Sequence, residues 1–133
     1  MQRRDFLTSS MLATAAALAA PSLSFAAAPG NLLNAATDCN KKAELCLQHC
    51  VESLSTGNKA MAACAVTVRD MMIYCEALTK ASAQKSKHLS SLAKIAEQAC
   101  KDCEAECRKH KHMQVCLDCA DACAACAKEC ASA

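Results

Sequence analysis

The chain has 133 residues, 13 of them cysteine, and carries 15 basic against 13 acidic residues. That is one domain's length, and so even a charge balance excludes nucleic acid or an acidic membrane surface as the main partner. With two Phe, one Tyr, no Trp, two Ile and four Val, an ordinary core of aromatic and β-branched residues is excluded as well.

Residues 1–26 read as a targeting segment and are set apart from the fold. Arg3-Arg4-Asp5-Phe6-Leu7 pairs two arginines with two hydrophobic residues, an Ala-rich apolar stretch runs from Met11 to Ala20, and Ser24-Phe25-Ala26 offers small residues to a signal peptidase. The segment resembles a bacterial Tat signal, departing from it at Gln2 and Thr8. It predicts export to the periplasm or otherwise outside the cytoplasm. Without it the chain keeps 13 basic and 12 acidic residues, and Tyr74 is its one aromatic residue. No second long apolar run follows, so no membrane contact is expected after removal.

Residues 27–37 are expected to be partly helical, with Leu32 to Ala36 adding a turn. The domain proper is expected over 38–133. Gly57 is the only Gly or Pro after Gly30, which excludes a turn-rich β-sandwich or a loop-rich disulfide scaffold. Ala, Lys, Glu, Leu, Gln and Met dominate, all good helix formers. The first helix is predicted from Asp38 to Leu54, capped by Thr37 or Asp38. Ser55-Thr56-Gly57-Asn58 is a turn. A second helix covers Lys59 to Lys80, and Ala81 to Lys87 connects it to a third, His88 to Lys109. A link at His110 to His112 leads to the fourth, Met113 to Ala131. Links this short favour antiparallel neighbours, so the predicted fold is an all-α, up-down-up-down four-helix bundle.

The cysteines mark the inner face of every helix. Cys116, Cys119, Cys123, Cys126 and Cys130 advance by 3, 4, 3 and 4, and at ~100° per residue they fall within an arc of roughly 80°. Cys100, Cys103 and Cys107 repeat the steps; Cys39, Cys46 and Cys50 step by 7 and 4, and Cys64 and Cys75 by 11. Val68 and Met71 occupy the same stripe as the last pair and read as packing. These are the positions where a bundle places Leu. Heights match too: Cys50 and Cys64 are each 7 residues from Gly57, and Cys39 and Cys75 are each 18 away.

Three chemistries compete for such an interior. Cysteine can serve as a small hydrophobe, but all 13 on inward stripes is too systematic. A disulfide framework suits an exported chain, but 13 is odd, and cysteines three or four apart on one helix are poorly placed for an S–S bond. The third, a multi-metal thiolate array, is favoured. Zinc prefers closed tetrahedral sets, usually on loop knuckles, and iron–sulfur runs also lie on loops and end in Pro. Cu(I) accepts two or three soft thiolates, and one monovalent ion per thiolate leaves a nearly neutral core.

The runs Cys100-Lys-Asp-Cys103-Glu-Ala-Glu-Cys107-Arg-Lys-His110 and Cys116-Leu-Asp-Cys119-Ala-Asp-Ala-Cys123-Ala-Ala-Cys126-Ala-Lys-Glu-Cys130, together with Met61-Ala-Ala-Cys64 and the Tat-like start, resemble the exported branch of the copper storage proteins. The resemblance implies a bundle filling with multiple Cu(I) ions per chain through inward cysteines, and a homo-oligomer, often a tetramer. Bundle topology gathers His49, Met61, His110, His112 and Met113 at one end, where weaker Met and His ligands could form a copper entrance. A copper chaperone and a metallothionein-like buffer of Cu(I) or zinc are the alternatives. No nucleophile–base–orienter set, Gly-rich phosphate loop or HExxH pattern points to an enzyme. No motif specifies a recipient for the copper.

Overall fold

The computed structural model describes residues 28–133. The Tat-like segment 1–26, including Arg3, Arg4 and its cleavage site, lies outside the described residues. Four helices follow one another: α1 (Ala28–Ser55), α2 (Ala62–Ala83), α3 (Leu89–Cys107) and α4 (Gln114–Ala131), with one 3₁₀ turn at Lys59–Met61. α1 packs on α2 and α4, and α3 packs on α2 and α4. Neither diagonal pair packs backbone to backbone. The predicted antiparallel four-helix bundle is therefore a ring of four around a shared interior. No helix among the described residues is long and apolar enough to cross a membrane.

α1 starts earlier than the predicted Asp38. Leu32, Ala36, Cys39, Ala43, Cys46 and Cys50 are all buried, and their steps of 4, 3, 4, 3 and 4 form one unbroken stripe. Residues 28–37 therefore belong to α1. Thr37 caps nothing: its hydroxyl donates to the Leu33 carbonyl at 2.8 Å, inside the helix.

The helix ends are closed by local hydrogen bonding. At the end of α1, Asn58 N–H reaches the Ser53 carbonyl at 3.0 Å and Gly57 N–H reaches that of Leu54 at 3.0 Å. This paired closure needs a left-handed residue, and Gly57 supplies it at φ 91°. The Asn58 side chain then caps the 3₁₀ turn by accepting from Ala60 N–H at 3.2 Å. The end of α2 closes the same way, through Ser86 to Ala81 at 2.9 Å and Lys85 to Ser82 at 3.2 Å. Here the left-handed residue is Lys85, at φ 52°.

The core has two parts. From Cys39 and Cys130 toward the Gly57 end it is built of thiols, with Ala, Val68, Met71 and Met61 between them. Toward the opposite end Leu32, Ala36, Leu78, Ala93 and Ala96 fill it, with Leu89 and Leu92 packed against them.

Candidate metal centre

Each helix delivers its thiols by the same device, a three-and-four stepping that keeps every sulfur on the inward stripe. All 13 cysteines are buried and none is in a disulfide. The expected burial of every cysteine holds.

The sulfurs form a continuous column. Toward the Gly57 end, Cys46 Sγ lies 3.9 Å from Cys64 and 3.8 Å from Cys116, and Cys64 lies 3.8 Å from Cys107. Cys103 and Cys107 on α3 are 3.9 Å apart. Deeper, Cys39 lies 3.7 Å from Cys123 and 4.0 Å from Cys75. Cys75 in turn reaches Cys100 at 3.5 Å and Cys126 at 3.9 Å. Three groups lie with all ligand atoms within 4.8 Å of one another: Cys46, Cys64 and Cys107; Cys103, Cys119 and Cys123; and Cys39, Cys75, Cys100 and Cys126. Cys50, Cys116 and Cys130 are buried in the same column.

The expected height match of Cys39 with Cys75 is met at 4.0 Å. Cys64 meets the expected Cys50 and also Cys46, one turn deeper, at 3.9 Å. The chain from Asn58 to Met61 is a cap and a 3₁₀ turn, which advances further per residue than an α-helix.

Proton affinities within the column alternate. Burial pushes the Cys50 thiol up to about 12 and Cys116 up to about 11. Contact first with Cys123 pulls Cys100 down to about 5, and contact first with Cys100 pulls Cys126 down to about 5. Cys64 is pulled well below the ordinary thiol value, first by Cys107. Cys107 and Cys123 are pushed far up, first by Cys103 and Cys100. Contact between the sulfurs thus favours the thiolate at some positions and the protonated thiol at others. Thiolate is the metal-binding form of cysteine.

The five residues expected at the entrance share the Gly57 end, with different exposure. Met61 is fully enclosed, at 1% exposure. Met113 and His110 are partly buried and His112 faces solvent. His49 is partly buried, with its Nε2 3.5 Å from the Ser53 hydroxyl. His110 Nε2 is buried without a hydrogen-bond partner, 3.5 Å from a Glu106 carboxylate oxygen.

One sulfur outside the predicted set joins the column. Met71 Sδ accepts from Cys39 Sγ at 3.6 Å, so this fully buried side chain presents a thioether to the deepest thiol group. Its stripe position between Cys64 and Cys75 was the signal, and it equally fits packing.

A stack of buried, unpaired thiols at separations of 3.5–4.0 Å defines a soft-metal thiolate site inside a helical bundle. The chain belongs to the copper storage protein family, whose match spans residues 26–133. It is also similar to the solved Cu(I)-bound copper storage protein BsCsp3, with 26% identity and a TM-score of 0.74 over 80% of this chain and 97% of that one. No curated protein matches the chain.

Proposed function

We propose that this chain stores Cu(I) as cargo, on the sulfurs of Cys39, Cys46, Cys50, Cys64, Cys75, Cys100, Cys103, Cys107, Cys116, Cys119, Cys123, Cys126 and Cys130. One observation carries the reading: every cysteine is buried, unpaired and inward. A bundle that needed only a core would use Leu, and one that needed only a staple would use a few S–S bonds. Bridging sulfurs and two-coordinate copper bring the ratio of copper to thiolate toward one, and the buried charge toward zero. The protein then holds copper without catalysing a reaction.

Copper enters at the Gly57 end. Met61, His110 and Met113 form the mouth, with the buried imidazole nitrogen of His110 making no hydrogen bond and lying 3.5 Å from Glu106. His49 and His112 assist from the rim. The opposite end is closed to ions by Leu32, Leu78 and their neighbours. Export through the Tat-like segment would place a folded, reduced bundle outside the cytoplasm. A homo-oligomer, tetrameric by family resemblance, completes the reading, and sedimentation of the purified protein tests it.

The deciding experiment is anaerobic titration of the reduced protein with Cu(I) against a chromophoric chelator. Many coppers per chain support a store. One copper per chain would replace the store with a chaperone. Changing Met61, His110 and Met113 together should slow loading and leave capacity nearly intact; unchanged loading kinetics would retire the mouth.

A further inference from the structure

We propose that Cys39, Cys75, Cys100 and Cys126 form a discrete tetrahedral site for one divalent thiophilic cation, zinc by preference, which clamps the copper-free bundle and is displaced as Cu(I) loads. Its last clause rests on the storage reading; the site itself does not.

The three thiol groups differ in a way that selects ions. Two of them contain three cysteines, and only this one contains four. Its members come one from each helix: Cys39 from α1, Cys75 from α2, Cys100 from α3 and Cys126 from α4. All four are buried, so no water competes for a coordination position. Closed four-coordinate sets of cysteine are what structural zinc requires.

The dimensions fit. A Zn–S bond of about 2.3 Å in a regular tetrahedron places neighbouring sulfurs about 3.8 Å apart. From Cys75 the other three sulfurs stand at 3.5, 3.9 and 4.0 Å. The remaining separations within the group stay under 4.8 Å, within reach of small side-chain rotations. The four sulfurs are thus nearly at the corners of a ZnS₄ unit before any ion arrives. Two-coordinate Cu(I) makes no use of that shape, whereas a divalent ion with four ligands does.

The placement gives the ion a task. At this level α3 buries only small side chains beside its thiol, Ala96 and Ala99, while α2 adds Met71 and Leu78, and neither α1 with α3 nor α2 with α4 packs backbone to backbone. One ion tied to four helices supplies the missing cross-link, and such binding energy is folding energy. The exchange also has a direction. Zinc binding releases the thiol protons to solvent and leaves four thiolates against a double positive charge, a buried net charge of minus two. Cu(I) brings one positive charge per thiolate and removes that imbalance. Zn–S bonds break, Cu–S bonds form, zinc leaves as the divalent ion, and no electron moves.

The test uses Co²⁺ as the spectroscopic stand-in, added anaerobically to the reduced full-length protein. We expect thiolate-to-cobalt charge transfer with tetrahedral ligand-field bands, saturating at one Co²⁺ per chain and bleached by Zn²⁺. Cys100→Ser should weaken Co²⁺ binding by more than about 100-fold, while Cys116→Ser, outside the group, should leave the spectrum intact. Cys39→Ser repeats the loss if Cys100→Ser fails to form helix by circular dichroism. The absence of a tetrahedral spectrum, saturation at several ions per chain, or a spectrum that survives both group substitutions overturns the proposal. Cu(I) capacity measured on the same samples separates the two readings: many coppers with no cobalt site sinks this inference alone, and few coppers sinks the store.

Discussion

The two halves of the core share one scaffold and differ in chemistry. On α1 the same inward stripe carries Leu32 and Ala36 at one end and Cys39, Cys46 and Cys50 at the other, all buried. On α2, Leu78 stands one turn from Cys75 and is equally enclosed. Burying a leucine contributes about 1.5–3 kcal/mol, and a leucine binds no metal. A buried thiol is a smaller hydrophobe, but its sulfur is a soft ligand. The apolar end therefore anchors the empty fold, and the thiol column holds cargo. A bundle can give up most of its leucines to function if it keeps one apolar end to hold the helices in register.

Filling the thiol column should erase this asymmetry, and that is the largest effect expected. Each ion at about 100 times its Kd adds about 2.7 kcal/mol, and several ions act together. The melting temperature of the reduced protein should rise by more than about 20 °C on Cu(I) loading and fall back when a strong chelator removes the copper. Calorimetry reads both steps. A small shift would mean that the ions bind outside the folded column.

Alkaline pH should weaken the thiol column of the copper-free protein and leave the apolar end untouched. The ordinary thiol value is 9.0, and burial raises Cys50 to about 12 and Cys116 to about 11. A thiol whose folded value lies above its unfolded value keeps its proton more tightly in the fold. Its contribution is then fully present below pH 9.0 and is lost as pH rises through about 11 and 12. Urea midpoints of the reduced, copper-free protein should fall as pH is taken above 9.0. Copper-loaded protein should not follow this trend, because its thiols have already given up their protons. A copper-free midpoint that holds or rises over that range would contradict the burial argument.

Leu78→Ala strikes the apolar end directly. The side chain is fully buried, and such truncations cost about 2–5 kcal/mol. Urea unfolding of the copper-free protein should show the loss, while Cu(I) capacity stays unchanged.

Much of this contrast was legible in the sequence, because a period of three and four is a property of a single helix. The cysteine steps of α4 announce an inward stripe without reference to any other helix, and Gly57 announces its turn because left-handed backbone favours glycine. The rest depends on neighbours or on residues with two readings. The start of α1 was hidden because Thr37 and Asp38 resemble a cap, whereas burial of Leu32 and Ala36 carries the helix through them. The second link was legible as the polar stretch Ala81 to Lys87, but its closure was not, because Lys85 takes the left-handed conformation at φ 52°, where sequence rules expect glycine. The four-thiol group was out of reach: Cys75 meets Cys126 across the bundle diagonal at 3.9 Å, a contact fixed by helix stagger and not by the spacing on either helix. Met71 had the right stripe position, but nothing in its spacing separates a ligand from filler.

Cys123→Ala completes the comparison from the other side and carries the smallest stability effect. Cys123 is fully buried, 3.7 Å from Cys39 and grouped with Cys103 and Cys119. Its removal takes away one sulfur, so the copper-free protein should lose only about 1 kcal/mol, the scale of one buried methylene. Cu(I) capacity should drop, because the group falls from three thiols to two and the bridge toward Cys39 is lost. Set beside Leu78→Ala, the outcomes should cross: one substitution weakens the fold and spares the cargo, the other spares the fold and lowers the cargo. If Cys123→Ala destabilised the copper-free protein as much as Leu78→Ala, the thiol column would be a structural core in its own right. If it left capacity unchanged, the ions would not be using the sulfurs at the centre of the column.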